Sequence, residues 1–176
     1  MLATYAAGER GARRAARDGA VVVVVDVVFR ASTTIAALVR KGARVVPVAS
    51  VEEGAAYTGA DYRIGERGSA KVEDFHFGNS PTEVEGSEIV PGATVVLTST
   101  NGTQIVEAAH GAPSILAGAF VNAHAVADEL ASGALGDRVA VMGCGWEGHW
   151  ASEDESAAGA ILCRLRDKDL ELDERA

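Results

Sequence analysis

Asp26 closes the aliphatic run AVVVVVD, and Arg30 follows four residues later in Asp26-Val27-Val28-Phe29-Arg30-Ala31-Ser32-Thr33-Thr34. A carboxylate at the end of a buried apolar strand is unfavourable unless it is solvated, paired or bound to a metal. An Asp26–Arg30 ion pair with Ser and Thr caps is one reading, and a metal ligand is the other. A second junction, Thr98-Ser99-Thr100-Asn101-Gly102-Thr103, gathers hydroxyls and backbone N–H groups at a helix start. Such a start is a ready cradle for an anion. An N-cap uses the same residue types, but so many around one glycine exceed what a cap requires.

Two further junctions carry less. Gly118 to Asn122 reads as a loop with Asn122 as N-cap. Met142 to Trp150 holds a formal GxGxxG at Gly143, Gly145 and Gly148. The helix after it opens with Ser152, Glu153, Asp154 and Glu155, carboxylates where a pyrophosphate would need bare amides, so dinucleotide binding is not expected. Cys144 reads as a small buried residue, since no arginine follows at the spacing of a thiol phosphatase loop. Glu153 and Asp154 either complement the helix dipole or join Asp26 and Glu66 around a hard divalent cation. Magnesium favours carboxylate oxygens, keeps waters and pairs with substrate phosphate.

Positive charge comes from GERGSAKVEDFHFGNSP, Gly65 to Pro81, where Arg67 and Lys71 accompany Glu66. Arg grips phosphate bidentately and Lys acts as a point charge; a solvated loop would carry the same residues. Long structureless loops are uncommon in compact domains, and Phe75, His76 and Phe77 argue against disorder. The stretch is expected to fold over the strand ends, bringing Glu66, Arg67 and Lys71 to a phosphate, while Asn79-Ser80-Pro81 caps the next segment. His76, His124 and His149 lack zinc-site spacing.

The elements that must position these residues alternate. Residues 7–18 read as an amphipathic helix with a basic face, 20–26 as a strand buried on both faces, and 32–41 as a helix stopped by Gly42. A strand over 44–49 and a short capped helix at 50–53 precede the polar loop. Strands at 94–99, 114–117 and 138–142 alternate with helices at 101–109, 122–131 and from 152. The pattern predicts one α/β domain over residues 1–176, layered α/β/α with a largely parallel or mixed sheet. The tail after Arg164 reads as a solvated helix end or a frayed terminus.

Composition narrows the function. Hydrophobic residues are 48% and aromatics 5%, so a core of Val, Ala, Leu and Ile is expected. A net charge of -9 disfavours nucleic acid and anionic membranes. No span or signal sequence is visible, and two cysteines without a CxxC pair point to a reducing cytoplasm.

Five ordered blocks, DVVFRASTTI, GERGSAKVEDFHFGNSP, LTSTNGTQ, VNAHAVA and Glu153-Asp154 before Ala158-Gly159, resemble the 2-phosphosulfolactate phosphatase family, the ComB-like proteins. The resemblance covers roughly residues 20–163. It implies a layered α/β fold and a Mg2+-dependent phosphatase acting on 2-phosphosulfolactate, a step towards coenzyme M. It carries over Asp26, Arg30, Glu66, Arg67 and Lys71 as catalytic candidates. Asn79, Ser80, Thr100, Asn101, Gly102, Thr103 and Asn122 carry over as substrate-binding candidates, and Asp26, Glu66, Glu153 and Asp154 as metal candidates. The nucleophile is open between a metal-activated water and Asp26, although Val28 breaks the DxD pattern of aspartate phosphatases. The family's pattern differs at Phe29 (Leu), Ser69 and Asp74 (Gly), His76 (Asp) and Gln104 (Arg). Its members run on for some tens of residues, so a missing C-terminal segment is expected. A non-catalytic or substrate-shifted anion-binding relative is the rival reading. A small phosphorylated organic acid is the expected partner, and a homodimer is left open.

Overall fold

The run Val21–Val25 forms β2, buried along its whole length. Val21, Val23 and Val25 face one core and Val22 and Val24 another, as expected when successive side chains alternate across a strand. The computed structural model describes residues 2–27, 30–168 and 171–172. Val28 and Phe29, at the first junction, lie outside them, as does half of the charged tail.

The strands divide between two sheets. The first contains β1 (Leu2–Ala7), β2, β7 (Ile115–Gly118), β8 (Arg138–Gly143) and β9 (Glu171–Leu172), in the order β7-β2-β8-β1-β9 and wholly parallel. The second contains β3 (Arg44–Pro47), β4 (Tyr62–Arg67), β5 (Ala70–Lys71) and β6 (Thr94–Thr98), in the order β3-β6-β4-β5. There only the β4–β5 pairing is antiparallel. The chain is therefore α/β with one parallel and one mixed sheet, and neighbouring strands are mostly distant in sequence.

Helices α6 (Ala123–Ala131) and α7 (Ser152–Arg166) cover one face of the first sheet through Leu130, Ile161 and Leu165. Helices α1 (Gly8–Arg17) and α5 (Gly102–Ala108) cover the other through Ala12, Ala15, Ile105 and Ala108. Helices α2 (Ala31–Arg40) and α4 (Pro81–Gly86) pack on the second sheet through Leu38 and Val84. The short helix α3 (Val51–Ala56) lies against β4 and β6. Two helices thus change sides. Strand β2 belongs to the first sheet but hands α2 to the second, and β6 belongs to the second but hands α5 to the first.

One strand was not expected, and two expectations are corrected. Residues 2–7 form a strand, because pairing with β8 satisfies a backbone that shows little alternation. The tail is not simply a solvated end, since Glu171 and Leu172 pair with β1. The polar stretch is not a loop throughout. It enters as an interior strand, β4, and turns back as β5, and Phe77 then bridges to Ile64. Phe75 is 4% exposed and packs where side chains at Gly54 and Gly65 would otherwise stand. The ring residues anchor the segment, as their apolar character required.

Candidate functional site

Both crossings between the sheets occur at strand carboxyl ends, where ligands bind in open α/β folds. Asp26, 1% exposed, stands at the end of β2. Its Oδ1 accepts the Arg30 backbone N–H at 2.5 Å, and its Oδ2 accepts the Gly102 N–H at 3.1 Å. Gly102 begins α5, so this bond joins the two sheets. The close approach requires glycine: a Cβ there would lie 2.6 Å from Asp26 Oδ2 and 2.8 Å from the Ala31 methyl.

Asp154, 3% exposed, projects from the first turn of α7. It accepts the Val27 N–H at 3.0 Å through Oδ1 and the Gly145 N–H at 2.9 Å through Oδ2. Its first bond is to the residue following Asp26, so the two carboxylates meet at one strand end. Among the described residues neither has an ion-pair partner. Burial, opposed by the Arg30 amide and reinforced by the Asp154 charge, pushes Asp26 up to about 6. Burial also raises Asp154, against the Val27 and Gly145 amides. Cys144 lies buried nearby, and burial together with both carboxylates holds its thiol well above its usual range, the opposite of a reactive thiolate.

Glu66, at the end of β4, accepts the Thr100 N–H at 2.8 Å and the Ser69 N–H at 3.1 Å. The expected anion cradle is therefore already filled from within. Its Thr100 and Gly102 amides hold Glu66 and Asp26, and the Thr103 N–H and hydroxyl bond to Ser99. Sequence shows donors at a helix start but not which acceptor reaches them. Two groups nearby keep hydrogen-bonding capacity: Thr100 Oγ1 and Arg30 Nε are buried without a partner. Arg30 has φ 92°, a left-handed conformation unusual for a side chain that is not glycine. Its backbone, rather than an ion pair, serves Asp26.

The remaining candidates disperse. Arg67 donates to Thr98 Oγ1 at 2.8 Å and to the carbonyls of Glu66 and Ala49, which pins β4 to β6. Lys71 donates to the Phe75 carbonyl at 2.9 Å. Asn79 is buried, and Ser80 caps α4 by accepting the Glu83 N–H. Asn122 locks the turn after β7, accepting from Ala119 and donating to Ala117. It stands at the N-cap position of α6, but its side chain bonds back to the turn and not to the helix. Glu153 is half-buried beside Asp154. The loop Gly145–Trp150 was missed as a component of the site; its paired turn glycines were the available signal.

Residues 6–176 match the family model described as 2-phosphosulpholactate phosphatase. The chain belongs to that family. It is 41% identical over 161 residues to a probable 2-phosphosulfolactate phosphatase of Carboxydothermus hydrogenoformans, a match covering 88% of this chain and 65% of that protein. Proteins of the same name from Synechocystis sp. and Thermotoga maritima are 37% identical over 155 residues and 38% over 149. Those matches cover 85% and 84% of this chain and 63% of each relative. The chain thus spans a little under two thirds of the length of these relatives.

Two departures from the 2-phosphosulfolactate phosphatase pattern now have a backbone meaning. Ser69 and Asp74 replace glycines, and both have positive φ, 66° and 62°. The pattern's glycines answer to a left-handed backbone at these points, and the conformation persists here without them. Gln104 donates to the Ala49 carbonyl at 2.6 Å, beside Arg67.

The carboxylate pair has donor chemistry that a magnesium ion suits, each oxygen keeping a lone pair beside the backbone amide it accepts. Among the described residues no three His, Cys, Asp or Glu side chains group around one point. Magnesium needs only one or two carboxylates, with waters and substrate phosphate completing its octahedron. Two buried carboxylates with no ion-pair partner among the described residues are the donor set such an ion suits.

Proposed function

We propose that the chain is a Mg2+-dependent phosphatase that hydrolyses 2-phosphosulfolactate to 3-sulfolactate and phosphate, the reaction type of coenzyme M biosynthesis. One observation carries the reading beyond family membership: Asp26 and Asp154 meet at the carboxyl end of a parallel sheet, buried and, among the described residues, without an ion-pair partner. In this reading they hold Mg2+, and the bound ion supplies positive charge and Lewis acidity toward the phosphate. Phosphoryl transfer asks a protein chiefly for positioning and charge stabilisation. Backbone amides of Arg30, Gly102, Val27 and Gly145 fix the carboxylates. The Arg30 guanidinium and the Thr100 hydroxyl have capacity for phosphate or substrate oxygens. Arg67 acts at one remove, by holding Thr98 and the β4–β6 junction in place.

A small phosphorylated organic acid as partner and a cytoplasmic location accompany this reading; among the described residues no helix is long and apolar enough to cross a membrane. A second reading, an anion-binding relative without turnover, is favoured by the filled cradle, since the Thr100 and Gly102 amides are not available to phosphate. Phosphate release from 2-phosphosulfolactate, with Mg2+ and with a chelator, separates the two. Magnesium-dependent release supports the phosphatase. Folded protein that binds the ester and releases nothing supports the binder.

A further inference from the structure

Gly143, the first glycine of the formal GxGxxG, is the last residue of β8. Its backbone does not take the left-handed conformation, so its lack of a side chain answers to space. A Cβ there would lie 2.7 Å from the Tyr5 hydroxyl oxygen, 3.5 Å from Cζ of the same ring and 3.6 Å from Asp154 Cβ. Only the first of these is closer than ordinary van der Waals contact. The glycine therefore makes room for a hydroxyl group, room that a phenylalanine in place of Tyr5 would not use. Tyr5 pairs with Val141, and its ring leans along the sheet to reach Gly143, two residues nearer the carboxyl end of β8. Gly143 in turn pairs with Val25, the residue before Asp26. The phenol tip thus stands over the strand ends beside Asp154, one strand spacing, about 4.8 Å, from the strand that Asp26 closes.

The ring and the hydroxyl have separate surroundings. The ring is half-buried against the core of the first sheet, a task that a phenyl ring performs as well. The hydroxyl has no hydrogen-bond partner among the described residues, although a tyrosine hydroxyl brought into a protein ordinarily finds one. It stands at a place short of donors. The Thr100 and Gly102 amides are held by Glu66 and Asp26, and Arg67 and Lys71 donate to Thr98 and Phe75. Arg30 and Thr100, which keep capacity, precede α2 and α5, the helices that cross between the sheets. Tyr5 supplies a donor from the other flank, on β1. A phenol titrates near 10, so at neutral pH it donates. The match to the family begins at residue 6, and Tyr5 lies just outside it.

Resting on the phosphatase reading, we propose that Tyr5 is a further substrate-binding residue, whose hydroxyl donates a hydrogen bond to a phosphoryl oxygen seated at the end of β8 beside Asp154. Gly143 is the space that admits the hydroxyl. The phosphate is then held from two flanks, by Arg30 and Thr100 on one and by Tyr5 on the other.

The test titrates inorganic phosphate, in Mg2+, into wild type and Tyr5→Phe, followed by calorimetry and by near-ultraviolet difference absorbance, with hydrolysis of 2-phosphosulfolactate measured beside it. Tyr5→Phe keeps the ring, so its unfolding midpoint should stay near that of wild type. Its affinity for phosphate should fall about tenfold or more, as for the loss of one hydrogen bond to a charged group. Phosphate should evoke a tyrosine difference spectrum in wild type and none in Tyr5→Phe. Equal affinity in the two proteins overturns the proposal, as does a wild type that binds no phosphate. If Tyr5→Phe does not fold, the double variant Tyr57→Phe, Tyr62→Phe decides, because Tyr5 is then the one tyrosine left of three. A difference spectrum on adding phosphate supports the proposal there, and a silent one overturns it. Tyr5-dependent phosphate binding without hydrolysis of the ester would sink the phosphatase reading alone; hydrolysis with wild-type kcat/KM in Tyr5→Phe would sink this proposal alone.

Discussion

The Asp26 carboxylate accepts the backbone N–H of Gly102, 76 residues further along the chain, at 3.1 Å. One hydrogen bond thus links the end of a strand in the first sheet to the start of the helix that leaves the second. The candidate site is built around this contact, and so is the first test of it.

Gly102→Ala should be destabilising. Its methyl would enter at 2.6 Å from Asp26 Oδ2 and 2.8 Å from Ala31 Cβ, and Asp26 is fixed by a second amide. Overpacking of this kind costs about 1–3 kcal/mol. Urea unfolding should show the lower midpoint, and an unchanged midpoint would mean that the two sheets are free to part at this point.

Metal-free protein should become less stable as the pH rises from about 4 to about 6. Asp26 has an ordinary pKa of 3.8 and a folded value of about 6, raised first by burial. Over this interval the unfolded chain releases its proton while the folded chain still retains it, so unfolding gains with rising pH. The contribution is on the order of 3 kcal/mol. Asp26→Asn should flatten the profile when both proteins are unfolded in chelator at several pH values. Identical slopes would rule out Asp26 as the source.

Magnesium should reverse that loss. A ligand at one hundred times its Kd stabilises by about 2.7 kcal/mol, and a cation binds ionised carboxylates better than protonated ones. Thermal unfolding should therefore show a larger Mg2+-induced rise in Tm at pH 7.5 than at pH 5. Asp154→Asn should remove most of it. An equal rise in that variant would place the ion elsewhere.

Phe75→Ala should loosen the segment over β4. The ring is 4% exposed and fills the space above Gly54 and Gly65. Truncating a buried Phe typically costs about 3–5 kcal/mol. Limited proteolysis should then cut between residues 68 and 79 faster than in wild type, and equal rates would show that Lys71 and the β4–β5 pairing suffice.

Much of this was legible in the sequence. The five valines of β2 announce a strand buried on both faces, and Asp26 after them announces a site. Ser80 and Pro81 announce α4, and the rings at 75–77 an anchored segment. What was hidden is relational. Alternation of strands and helices does not say which sheet a strand joins. Leu2–Ala7 shows no pattern of its own and becomes a strand only because Arg138–Gly143 lies beside it. The 98–103 junction displays its donors openly, yet Glu66 and Asp26 arrive from far along the chain to take them.

The exchange of helices between the sheets has a consequence for how the molecule comes apart. Removing the second sheet would strip α5 from the first, and removing the first would strip α2 from the second. Neither half owns a complete apolar cover, so no boundary along the chain separates two pieces that could each stand alone. The carboxylate pair sits where the two halves interlock. Its geometry is lent by the cooperativity of the whole fold, and a lesion in either sheet is felt at Asp26.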